Sequence, residues 1–177
     1  MLIRRADPAL DAAACAAIYE PYVRTTAISF EDQAPRPDQL GKRIERFQRS
    51  HQWLVAEDDD QVVGYAYGCP HRERAAYRWA TEVSVYVNIE RHRRGYGRAL
   101  YRELLPQLAD RGFHTALAGV TLPNDASVAL HESLGFSPVG VYRGIGYKLG
   151  SWWDVGWWQL ALRERDGDTP PSDPAPT

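Results

Sequence analysis

The segment from Ala80 to Gly112 constrains this chain most. ATEVSVYV (Ala80 to Val87) alternates, with Val83, Val85 and Val87 on one face and Glu82, Ser84 and Tyr86 on the other, as a strand requires. RHRRGYGRAL (Arg91 to Leu100) then opens a helix in which Ala99, Leu100, Leu104, Leu105 and Leu108 recur at helical spacing. Gly112 supplies its C-cap. Between strand and helix, the glycines let backbone N–H groups approach an anion closely, and the helix N-terminus adds partial positive charge. Arg93 and Arg94 add formal charge, so the turn suits a pyrophosphate held without a metal. The same residues also suit a tight turn with solvated arginines.

The flanking sequence predicts a mixed sheet. Leu2 to Arg4 reads as a strand, and Asp7-Pro8 as the start of a helix carrying Leu10, Ala13, Ala14, Ala17 and Ile18 on one face. Pro21 is expected to kink or end that helix. Thr25 to Phe30 reads as loop, and Asp38 to Phe47 as a second helix with Leu40, Ile44 and Phe47 on one side. Trp53 to Glu57 and Gln61 to Gly68 form a hairpin through Asp58-Asp59-Asp60, followed by a basic loop from His71 to Arg78. Beyond the central segment come a strand at Phe113 to Val120, a short helix capped by Asn124 and stopped at Gly135, and strands around Val139 to Lys148 and Trp152 to Leu162. Alternation in the middle with antiparallel pairs at both ends gives an α/β domain over residues 1–163. The Pro- and Asp-rich residues 164–177 are expected to be disordered.

Several function classes lack their residues. The chain has 177 residues, about one domain, with 44% hydrophobic and 25% charged residues, which is ordinary globular composition. No apolar run approaches the roughly 18 residues of a membrane span, and charges at Arg4, Arg5 and Asp7 stand where a signal peptide needs an apolar stretch. A cytoplasmic protein with no membrane partner is expected. Net charge is −2, and nearly neutral without the last fourteen residues, which argues against a nucleic-acid partner. Cys15 and Cys69 form no C-x-x-C pair and are expected as free thiols. The five histidines show no metal-ligand spacing. GFSPV lacks the second glycine of a serine elbow, GYGRAL fails the dinucleotide fingerprint, and no G-x-x-x-x-G-K-[ST] loop exists.

Six segments carry a family resemblance: TTAISFE (Thr25 to Glu31), WLVAEDDDQVVGYAYG (Trp53 to Gly68), RERAAYRWATEVSVYV (Arg72 to Val87), HRRGYGRALY (His92 to Tyr101), LPNDASVALHESLGF (Leu122 to Phe136) and GSWWDVGWWQL (Gly150 to Leu160). On these the chain resembles the GNAT superfamily of acetyltransferases, in particular its phosphinothricin and methionine sulfone/sulfoximine N-acetyltransferase group. The resemblance implies a mostly antiparallel central sheet splayed in the middle and flanked by helices, and acetyl-CoA as co-substrate with no metal. It implies a small amino-acid-like amine as acceptor, and a homodimer. It also implies that Val85, Tyr86 and Val87 present backbone groups to the pantetheine arm. The pyrophosphate would lie on His92, Arg93, Arg94, Gly95, Tyr96, Gly97 and Arg98. His92 departs from the family's Gln or Arg.

Asn124, Ser127 and His131 share one helix face by spacing. Taken alone they read as a cap and two exposed polar residues; the resemblance makes Asn124 and Ser127 CoA contacts and His131 a group for proton movement or positioning. Acetyl transfer needs a neutral amine, yet amines with pKa values of about 8 to 10 are protonated at pH 7. A base must therefore act directly or through one water. Glu82 matches the family's catalytic glutamate; its structural alternative is an ion pair with Arg72, Arg74 or Arg78. Arg72 and Arg74 match positions that grip acidic substrate groups, and guanidinium forks suit carboxylate or phosphinate oxygens. Phe30 and Tyr77 match positions near the acceptor pocket. Trp152, Trp153, Trp157 and Trp158 read as structural. Other readings remain: a different small amine or a protein N-terminus as acceptor, a non-catalytic acyl-CoA-binding module, or nucleic-acid binding through Arg91, Arg93, Arg94 and Arg98.

Overall fold

The computed structural model describes residues 1–164, 167 and 171–175. In chain order the elements are β1 (Leu2–Arg5), α1 (Ala12–Thr25), α2 (Pro37–Gln48), β2 (Trp53–Asp58), β3 (Gln61–Pro70), β4 (Ala80–Val87), α3 (Tyr96–Asp110), β5 (Thr115–Leu122), α4 (Asp125–Glu132), β6 (Ser137–Lys148) and β7 (Ser151–Ala161). One seven-stranded sheet runs in the order β1-β2-β3-β4-β5-β7-β6. Every neighbouring pair is antiparallel except β4 and β5. The β2–β3 hairpin turns on Asp59 and Asp60, both left-handed at φ 51° and 59°, the conformation a two-residue hairpin turn requires.

Both faces of the sheet are covered, so the inner strands read as nearly continuous apolar runs. On one face Leu54, Ala56, Val63 and Ala66 pack with the α3 residues Leu100, Tyr101, Leu104 and Leu108. On the other, Trp53, Val55 and Tyr65 pack with Ile18, Tyr19 and Tyr22 of α1 and Leu40 and Ile44 of α2. Two expectations for α1 fail. Leu10 lies outside the helix and is exposed, and Ala13 and Ala17 are exposed within it, while Ala12, Cys15, Ala16, Ile18, Tyr19, Tyr22 and Val23 form the buried stripe. The tyrosines decide the face, because each removes far more apolar surface from water than an alanine. Pro21 does not end the helix, which continues to Thr25. Ala17, whose carbonyl Pro21 cannot bond, is solvent-exposed, and burial of Tyr22 and Val23 holds the last turn.

Part of the C-terminal segment also differs from expectation. Arg78 Nε donates to Asp173 at 2.6 Å, Trp79 Nε1 to the Ser172 carbonyl at 3.0 Å, and the Ala175 amide to the Arg111 carbonyl at 2.8 Å. These contacts dock residues 171–175 rather than leaving them disordered; residues 165, 166, 168–170, 176 and 177 lie outside the described residues. No helix among the described residues is long and apolar enough to cross a membrane.

Lys148, at the end of β6, ties that strand to the loop between α1 and α2. Its buried ammonium donates to the carbonyls of Val23 (2.6 Å), Ser29 (2.5 Å) and Glu31 (2.9 Å), three acceptors for its three protons. Tyr19 Oη, bonded to Ser29 Oγ at 2.6 Å and Glu31 Oε1 at 2.9 Å, holds the same loop from below. Arg43 pairs with both Glu31 oxygens.

Two outcomes follow from this packing. Lys148→Met strands three carbonyls, so chemical denaturation should show a loss of about 3 kcal/mol. His51 is buried against Phe113 with Nε2 unpartnered, and burial lowers its pKa from 6.5 to about 4. The unfolded chain therefore takes up a proton there before the folded protein does. Stability should fall as pH drops from about 6.5 to about 4, by up to about 3 kcal/mol, and His51→Phe should flatten that part of a stability-versus-pH curve.

Candidate active site

Parallel pairing of β4 with β5 lasts three residues: Ala80 with Thr115, Thr81 with Ala116, and Glu82 with Leu117. Beyond Glu82 the strands part. β4 stays on β3 as far as Val87 opposite Gly64, and β5 stays on β7 as far as Leu122 opposite Asp154. A wedge-shaped gap results, with Val83 to Tyr86 on one wall and Gly119 to Thr121 on the other. Backbone polar groups on the inner edges of this gap have no neighbouring strand, so they must meet water or a ligand.

The turn after β4 lies at the wide end of the gap. Asn88 Oδ1 accepts from the Glu90 amide at 2.9 Å, and the backbone is left-handed at Arg93 (φ 61°) and Gly95 (φ 85°) before α3 starts at Tyr96. Left-handed residues in such a turn bring successive N–H groups onto one concave side, a cradle for an anion at the helix N-terminus. Arg93, Arg94 and Arg98 are exposed around it. Gly97 serves close packing, since a Cβ there would stand 3.3 Å from Leu130 Cδ2 of α4. The His92 ring is engaged inward: its Nε2 is 2.6 Å from Tyr22 Oη and 3.2 Å from the Val87 carbonyl. Tyr96 Oη donates to Asp58 Oδ2 at 2.6 Å. His92 Nε2 and the Tyr96 hydroxyl are thus engaged within the protein. Val85 and Val87 pack toward the α3 core and Tyr86 toward the α1 tyrosines.

Asn124 Oδ1 accepts from the Ser127 amide at 3.1 Å and caps α4. His131, only 3% exposed, is the opposite of the exposed polar residue that spacing alone suggests. Its Nδ1 donates to the Ser127 carbonyl at 2.7 Å, which leaves Nε2 to accept from Tyr101 Oη at 3.2 Å. Burial lowers its pKa, so the ring is held neutral in one tautomer. Asn124, Ser127, His131 and Tyr101 all line the gap.

Glu82 occupies the closed end of the wedge with its side chain 30% exposed. Among the described residues it pairs with neither Arg72, Arg74 nor Arg78; its Oε1 lies 2.8 Å from His71 Nδ1. Sequence reading did not single out His71, because a lone histidine in a basic loop carries no signal until the fold sets it against Glu82. Tyr77 meets the His71 ring edge-on at 5.6 Å, and Trp157 of β7 does so at 6.0 Å. The Trp157 indole nitrogen is buried without a partner among the described residues. Arg72 and Arg74 are exposed on this loop. Phe30, half-exposed on the loop that Lys148 holds, lies so close over Gly146 that a Cβ there would collide with its ring. Of the tryptophans, Trp158 is core, Trp153 Nε1 donates to the Lys148 carbonyl at 2.9 Å, and Trp152 is exposed. Among the described residues, no group of three or more His, Cys, Asp or Glu is placed to hold a metal.

Comparison with known proteins agrees with this architecture. The family model "Acetyltransferase (GNAT) domain" matches residues 3–157. A phosphinothricin N-acetyltransferase of Streptomyces viridochromogenes is 41% identical over 88% of this chain and 85% of its own. The methionine sulfoximine/methionine sulfone acetyltransferase of Salmonella typhimurium is 36% identical over 93% and 96%. Among solved structures, a phosphinothricin acetyltransferase from Sinorhizobium meliloti in complex with acetyl-CoA superposes with a TM-score of 0.91 at 31% identity, covering 97% of this chain and 92% of that one. A mixed sheet opened between its only parallel pair of strands, an anion cradle at the head of α3 and a match across nearly the whole domain make this chain a member of the GNAT acetyltransferase family.

Proposed function

We propose that this protein transfers the acetyl group of acetyl-CoA to the primary amine of a small amino-acid-like acceptor such as phosphinothricin, methionine sulfone or methionine sulfoximine, with Glu82 as general base. One observation carries the reading: Glu82 is the last β4 residue paired with β5 before the strands part, which sets it at the closed end of the gap. The residues fit acetyl-CoA. Left-handed backbone at Arg93 and Gly95 suits its pyrophosphate, and the unpaired edge of β4 from Val83 to Val87 suits the amides of its extended arm. Acetyl-CoA supplies an activated thioester.

Glu82 takes the proton from the acceptor ammonium, directly or through one water, and the freed amine attacks the thioester carbonyl. Amides of the β4 edge stabilise the oxygen on which charge develops. The attack forms the C–N bond, expulsion of the CoA thiolate breaks the C–S bond, and the second proton lost from nitrogen neutralises the thiolate. His131 and Tyr101 position the reacting groups and move protons along the opposite wall. Arg72 and Arg74, exposed beside the apex, grip the acidic end of the acceptor, with Phe30 and Tyr77 against its side chain. The relatives named for phosphinothricin and methionine sulfoximine support this acceptor class. One neighbour, from Brucella melitensis, is named a ribosomal-protein-alanine N-acetyltransferase at 36% identity and a TM-score of 0.88, which keeps a protein N-terminus as the competing acceptor.

The reading includes a homodimer. β6 is a twelve-residue edge strand exposing Val139, Val141, Tyr142, Ile145 and Tyr147, with Leu149 and Trp152 following. An apolar edge of that length invites pairing unless another surface covers it. Sedimentation should give a dimer at micromolar concentration, and Tyr147→Glu with Trp152→Glu should give a monomer. A wild-type monomer would sink this part of the reading.

A thiol-release assay with acetyl-CoA tests the chemistry. Turnover is expected with the sulfone, sulfoximine and phosphinate compounds. Glu82→Gln should lower kcat by about 10²–10⁴-fold without weakening acetyl-CoA binding. Turnover confined to alanine-initiated peptides or polyamines would overturn the acceptor class, and a Glu82→Gln enzyme at the wild-type rate would overturn the base.

A further inference from the structure

The pairing of Glu82 with His71 goes beyond the assignment of a base. His71 belongs to the basic loop, yet its side chain is only 15% exposed. Its ring is wedged between the edges of Tyr77, from the same loop, and Trp157, from β7 on the far side of the splay. The sheet thus clamps the imidazole from two directions and aims Nδ1 at Glu82 Oε1 over 2.8 Å. Glu82 is an acceptor when ionised, so His71 Nδ1 donates to it. Among the described residues Nε2 has no hydrogen-bond partner.

We propose that His71 is a positioning residue for Glu82, holding one carboxylate oxygen in a fixed place; this rests on Glu82 being the base. A glutamate has three freely rotating bonds, and one bonded oxygen removes most of that freedom while leaving Oε2 for the amine or its bridging water. The choice of donor matters. Arg72, Arg74 and Arg78 are all nearby in sequence, and a guanidinium on Glu82 would favour the charged carboxylate and lower its proton affinity. The imidazole supplies the geometry with a single hydrogen bond.

The test compares wild type, His71→Asn, His71→Leu and Glu82→Gln in thiol release with methionine sulfone, separating kcat from KM, with thermal melts and acetyl-CoA titrations alongside. His71→Leu is expected to lose about 10- to 100-fold in kcat, with KM for methionine sulfone and acetyl-CoA binding within about twofold of wild type. His71→Asn, whose amide N–H can replace Nδ1–H, is expected to recover most of kcat. Wild-type kcat in His71→Leu would overturn the proposal. Equal impairment of both variants would also overturn it, reducing His71 to packing. Should His71→Leu fail to fold, a folded His71→Asn with kcat about tenfold or more below wild type overturns it instead. Glu82→Gln separates the two layers: full activity there removes the base reading itself, whereas an inactive Glu82→Gln beside a normal His71→Leu removes only this inference.

Discussion

The candidate site hangs on the brevity of one contact, the three-residue parallel pairing of β4 with β5. Each strand is held on its outer side for its full length, β4 by β3 and β5 by β7, so the two halves of the sheet diverge as stiff units. The twist that all sheets carry turns a lost hydrogen bond at Glu82 into a widening gap by Val87. Two strand edges then expose backbone donors and acceptors inside the protein, where leaving them unmet is costly. An extended ligand with amides of its own answers that cost, and the anion cradle at the head of α3 lies at the open end where such a ligand would terminate.

The charges near the gap are kept apart by different means. At the open end, Arg93, Arg94 and Arg98 remain in solvent, where a phosphate group can find them. At the closed end Glu82 meets an imidazole rather than any of the neighbouring guanidinium groups. At the end of β6, Lys148 is buried, and three carbonyls accept its hydrogen bonds. That last arrangement spends a cation on fixing a loop, so the loop bearing Phe30 is set by β6 rather than by its own residues. The second wall is neutral, with His131 confined to one tautomer between a carbonyl and the Tyr101 hydroxyl.

Much of this was legible in the chain. Strand alternation at Ala80 to Val87, the arginine–glycine turn, the leucine stripe of α3 and the Asn124 cap are local patterns, and all reappear at or within a few residues of their expected positions. Less legible were features decided by competition between distant surfaces. The buried face of α1 follows Tyr19 and Tyr22, which pack on Tyr86 of β4, rather than the alanine and leucine spacing. Pro21 is tolerated because its consequences fall on the solvent side. His92 and Tyr96 sit where the turn after β4 enters α3, and their side chains bond to Tyr22 and Asp58, partners 70 and 38 residues away.

The sequence by itself determined the kind of protein: which segments form strands and helices, where the anion cradle lies, and which carboxylate stands in the central strand. Those are properties of residue type and short spacing, governed by backbone sterics and periodic burial. Tertiary structure alone decided what that carboxylate touches. Glu82 had three arginines within ten residues as candidate partners and took His71 instead, because Tyr77 and Trp157 close on the imidazole from two separate elements. Side-chain pairing across a sheet depends on which surfaces the strands bring together, and no local pattern encodes that.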